Sequence, residues 1–101
     1  MTDNQPQSII LASDVKSYLL DQDLLIFSKH QQRLFRFNTV AAFIWCCLEE
    51  KLINQKIIDE LIKSFGIAAI QAKQDFEQIV LQWKSIGLLQ SEFEITVEHS
   101  Q

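Results

Sequence analysis

Polar and apolar residues alternate along the first third of the chain, then switch at Asn38 to the three-and-four spacing of helices. Three stretches carry the alternation: "VKSYLL", "LLIFS" and "RLFRF". The polar break "DQD" separates the first two, and "KHQQ" separates the second from the third. This predicts three short strands joined as hairpins. On "RLFRF", Leu34 and Arg36 point to one face, while Arg33, Phe35 and Phe37 point to the other.

Asn38 is a good helix N-cap, with Thr39 as a second candidate. Beyond it, "TVAAFIWCCLEE" places Val40, Ala41, Ile44, Trp45 and Leu48 on one stripe. A second helix is expected after Asn54, again a plausible cap, with Ile57, Ile58, Leu61, Ile62 and Phe65 on its apolar side. Gly66 ends it. The third helix covers "AIQAKQDFEQIVLQWKSI", with Phe76, Ile79, Val80, Trp83 and Ile86 inward and Gly87 as terminator. "LLQSEFEITV" alternates once more and predicts either a short last strand or an extended tail.

The order of elements predicts an α+β fold, in which an N-terminal three-stranded antiparallel sheet is followed by three helices in a winged helix-turn-helix-like arrangement. Three one-sided helices make a trihelical core, and the aromatic face of the sheet closes it. Residues 1–12, Gln- and Asn-rich around Pro6, read as a flexible tail. The domain then runs over 13–90, with 91–101 as an extension or strand.

At 101 residues the chain has room for one modest core. Its charge is unevenly spread. No Asp or Glu occurs from Leu24 to Leu48, where Lys29, Arg33 and Arg36 give +3, leaving -7 on the remainder of a chain whose total is -4. A small basic patch in the strand region suits an anionic peptide better than duplex DNA, which needs positive charge on a recognition helix and a broad face. Cys46 and Cys47 are adjacent, a spacing that serves neither a metal nor a disulfide framework, and are read as small buried hydrophobes. The start has no signal-peptide pattern, and no apolar run is long enough to cross a bilayer. The expectation is a cytoplasmic protein without a membrane partner.

Catalytic chemistry is not visible. His30 falls in a turn and His99 in the tail, and neither has a metal-ligand pattern. Glu49 with Glu50, and Asp59 with Glu60, are adjacent pairs that splay apart around a helix. There is no phosphate-binding glycine loop and no nucleophile elbow. The expectation is a non-enzyme with no cofactor and no metal.

The strand "RLFRF" is the interesting element. As an edge strand it offers free backbone donors and acceptors to an incoming extended segment. Arg33 and Arg36 would flank such a segment on opposite faces and meet its carboxylates. The plain alternative is that both pair with the protein's own acids. Leu81 lies off the inward stripe of the third helix, near Lys73, Glu77 and Lys84. It is a single exposed apolar residue, a wall of the same groove or, with Phe43, a dimer seam.

"FNTVAAFIW", "IIDELIKSFG" and "DFEQIVLQWKSIGLL", in this order and spacing, resemble the family of coenzyme PQQ synthesis protein D, the PqqD-like peptide recognition element of modified-peptide biosynthesis. The resemblance covers about Leu24 to Leu89. It implies a non-catalytic domain that binds the leader of a ribosomally made precursor peptide as a strand beside its third strand and against its last helix. It implies as well a modifying enzyme to which the leader is presented, often a radical S-adenosylmethionine protein. Carried onto this chain, the peptide site is Arg33, Leu34, Phe35, Arg36 and Phe37, facing Lys73, Glu77, Val80, Leu81 and Lys84. The chain departs from the family in lacking glycine within "LEEKLIN", in Trp83 where leucine is usual, and in its C-terminal extension.

Two other readings compete. A winged-helix DNA binder would put the third helix in the major groove, yet Lys73 and Lys84 there are balanced by Asp75 and Glu77. A structural or oligomerising subunit would use Phe43 and Leu81 in a homodimer seam.

Overall fold

The computed structural model describes residues 9–90. Three strands, β1 (Val15–Leu20), β2 (Asp23–Ser28) and β3 (Arg33–Phe37), precede three helices, α1 (Thr39–Glu49), α2 (Asn54–Phe65) and α3 (Ala69–Ser85). The sheet is antiparallel in the order β1-β2-β3, so β2 is central. Among the described residues, β3 pairs with β2 along one edge and with no strand along the other.

The register sorts the side chains as the alternation requires. Leu24 pairs with Phe37, Ile26 with Phe35 and Ser28 with Arg33, and these pairs share the face turned to the helices. Leu24 and Ile26 are buried there with Ala41, Ile44, Trp45 and Leu48 of α1, Ile57 and Leu61 of α2, and Phe76 and Trp83 of α3. Phe35 and Phe37 are half-buried against the same core. Across the other face run Leu25 opposite Arg36 and Phe27 opposite Leu34.

Each boundary has a local cause. The Asn38 Oδ1 accepts the Ala41 N–H at 3.0 Å and starts α1. Gly66, at φ +64°, closes α2, its N–H donating to the Ile62 carbonyl. The cap of α2 falls on Ile53, whose φ and ψ are extended, and not on Asn54, which is already the first helical residue. An N-cap must be extended, so Asn54 cannot fill that role.

Phe43 is half-buried. Its ring meets that of Phe65 edge-on at 5.5 Å, which seals α1 to α2. Cys47 is buried, and desolvation there pushes its thiol up to about 11. Cys46 is half-buried and also raised, first by desolvation and then by Glu49 and Glu50.

The stretch before β1 is tied to the end of the domain. Leu11 bridges Leu89, the Ala12 N–H donates to the Leu88 carbonyl at 3.0 Å, and the Gln90 N–H donates to Ile10 at 2.7 Å. The remainder of the expected tail, residues 1–8, lies outside the described residues, as do the expected extension or strand at 91–101 and His99 within it. No helix among the described residues is long and apolar enough to cross a membrane. No group of His, Cys, Asp or Glu among them can hold a metal ion.

Candidate functional site

The open edge of β3 begins at a turn fixed by a dense set of hydrogen bonds. The Gln32 N–H donates to the Ser28 carbonyl at 2.8 Å, and the Gln32 side chain to the Lys29 carbonyl at 2.8 Å. The buried Ser28 hydroxyl accepts the Gln31 N–H and donates to the Asp14 carboxylate. The His30 N–H donates to the same Asp14 oxygen at 3.1 Å, and this bond holds the Asp14 carboxyl below its ordinary value. Gln32 itself sits at φ +56°, a strained position for a non-glycine residue that this network stabilises. Arg33 therefore starts from a rigid base.

The same turn is bolted to the far end of α3. Gln31 donates from Nε2 to the Ile86 carbonyl at 2.7 Å. Gly87 permits this approach: its φ is +80°, and a Cβ there would stand 3.0 Å from the Gln31 Nε2. Further along, the Phe37 ring meets Trp83 of α3 edge-on at 5.6 Å, and Trp83 meets Trp45 at 5.1 Å. These two ties join β3 and the turn before it to the C-terminal part of α3. A cleft of about 750 Å³ opens at this turn, and Asp14, His30, Arg33, Ser85 and Ile86 help to line it.

The two arginines of the strand have different fates. Arg36 lies on the outer face and holds Asp23, with Nη2 and Nε at 2.8 and 2.9 Å from one carboxylate oxygen. Arg33 lies on the face turned to the helices, its guanidinium 5.1 Å from the centre of the Phe35 ring, and makes no ion pair among the described residues. Phe35 stacks beside Phe37 at 6.3 Å. Leu34 is on the outer face and 63% exposed.

Four of the five helical residues expected in the peptide site share a cleft. Glu77, Val80, Leu81 and Lys84 line a second cleft of about 360 Å³ with Ile9, Asn54 and Ile58, and no residue of β3 takes part in it. Lys73 is exposed on the same flank by helical phase. Leu81 is 67% exposed. Phe76 and Trp83 point into the core, and the positions about 100° on from Phe76 lie beside Asn54 and Ile58 of α2. The opposite flank carries Asp75, Ile79, Gln82 and Ile86, of which Ile79 and Ile86 pack against the core. Their spacing of four, three and four residues was visible in the sequence.

The architecture has solved counterparts. One is TbiB1 in complex with the TbiA(beta) leader peptide, with a TM-score of 0.77 at 18% identity over 81% of this chain and 95% of that one. Another is lasso peptide synthetase B1 complexed with the leader peptide, with a TM-score of 0.76 at 15% identity over 83% of this chain and 99% of that one. At these identities the likeness concerns the fold. No curated protein sequence matches the chain significantly. The family model of coenzyme PQQ synthesis protein D (PqqD) matches residues 14–89, a span that takes in all three strands, all three helices and the Leu89 bridge, and the chain belongs to that family.

Proposed function

We propose that this protein is a non-catalytic accessory protein that binds the leader segment of a ribosomally made precursor peptide and presents it to a modifying enzyme. The leader adds a fourth strand along Arg33, Leu34, Phe35, Arg36 and Phe37, where backbone groups supply affinity and side chains supply selectivity. The helical wall is the flank of α3 with Ile79, Gln82 and Ile86. Glu77, Val80, Leu81, Lys84 and the neighbouring Lys73 are a separate surface that suits the modifying enzyme, for which a radical S-adenosylmethionine protein is the leading class.

One observation carries this reading: β3 has an unpaired edge among the described residues, while the turn before it and its last residue are tied to the end of α3, by Gln31 to Ile86 and by Phe37 to Trp83. The proposed groove runs between that edge and α3. The family membership and the two leader-bound counterparts support it. An amide-resolved NMR titration with the leader of a precursor encoded beside this chain tests it. Saturable shifts are expected at residues 33–37 and along 79–86. Shifts confined to the second cleft, or none with any neighbouring precursor, would refute strand addition.

A further inference from the structure

We infer that Arg33 reads a carboxylate side chain of the bound leader and that Arg36, three residues on, does not. The inference rests on the strand-addition reading and names a feature of the peptide that fits it. Arg36 is already engaged, with two of its nitrogens held by Asp23 of the adjacent strand on the sheet's outer face. Arg33 has no acid partner among the described residues, and its side chain is on the face turned to the helices.

Two features prepare Arg33 for an anion. Its guanidinium lies against the Phe35 ring, which holds the planar fork while leaving its N–H edge free to donate. Asp14 is the acid in the cleft, yet one of its carboxylate oxygens already accepts from both the Ser28 hydroxyl and the His30 N–H. The segment Leu24 to Leu48, which carries Arg33, contains no Asp or Glu, which leaves an attractive field for an anion beside Arg33.

The register translates this into a peptide pattern. Residues directly opposite one another in paired strands share a face, and that face repeats every second residue. A ligand acid across from Arg33 therefore comes with apolar residues two and four positions away, across from Phe35 and Phe37. The pattern is acid, any residue, apolar, any residue, apolar, read in whichever direction the peptide runs. A short charge-assisted hydrogen bond to a fork is the contact that sets its position.

Selection of a displayed library of random twelve-residue peptides on the full chain tests this, with Arg33→Gln, Arg33→Lys and Arg36→Gln run alongside. Bound peptides that shift the amides of residues 33–37 are expected to show Asp or Glu at the first position of the pattern. Arg33→Gln should abolish that enrichment and weaken the best acidic peptide about tenfold, as loss of a charged hydrogen bond does. Arg33→Lys should retain part of the preference, and Arg36→Gln should leave it within about twofold. Changing the peptide acid to Gln should cost nothing further once Arg33 is Gln. Peptides that pair with β3 without an acid, or an acid preference that survives Arg33→Gln, would overturn the role of Arg33 alone. A library that yields no peptide shifting those amides would overturn strand addition with it.

Discussion

Asn38 turns a strand into a helix with one hydrogen bond, to the Ala41 N–H. Asn38→Ala should cost about 1 kcal/mol by urea unfolding, the usual loss for an N-cap acceptor. Asn54→Ala should cost no cap energy, because Ile53 holds that position. The two asparagines look alike in sequence, and only the backbone angles tell them apart. Arg33 and Arg36 pose the same problem. Alternation puts them on opposite faces, but the acid that captures Arg36 lies across a strand pairing, at Asp23, whose register no local pattern states. The buried cysteine was legible from its apolar helix. With its thiol pushed up to about 11, Cys47 should resist iodoacetamide at pH 8 in the folded chain and react promptly in urea.

At the scale of elements, the strands, the helices and their order follow from periodicity with little help, because the chain has only two glycines and one proline to interrupt it. The face of α3 was harder. Its inward stripe is clear from Phe76 and Trp83, but a stripe has two flanks, and choosing between them requires knowing where β3 lies. Leu81 draws the eye to one flank because a leucine off the stripe stands out, whereas Ile79 and Ile86 on the other merge with the core residues. Gly87→Ala tests the tie that orients this helix. A Cβ at φ +80° is strained and meets the Gln31 side chain at 3.0 Å, so the variant should lose about 1–3 kcal/mol of stability. Gln31→Ala should lose less, because the conformation of Gly87 is untouched.

For the molecule as a whole, the core converges on Trp83, which is fully buried and touches rings from both the sheet and α1. Trp83→Ala should destabilise by about 3–5 kcal/mol in denaturant titration, the range for emptying a large aromatic site. The expectation of an anionic partner came from the uneven charge, and Arg33 is among the residues that line the cleft at the β2–β3 turn, with Asp14. Acid should loosen that turn. The Asp14 carboxyl titrates below its ordinary value in the fold, so the stability it adds is present above about pH 4 and lost as pH falls through the lowered value. Asp14→Asn should flatten this acid limb of the unfolding curve. The tie between Gln31 and Ile86 has one more implication, for the energetics of the ligand. A slot whose width is set in advance leaves the ordering entropy almost wholly to the guest. Stiffening a peptide into an extended form, for example by cyclising it through a tight hairpin, should then raise its affinity through slower release, while the same change in a loosely hinged receptor would gain little.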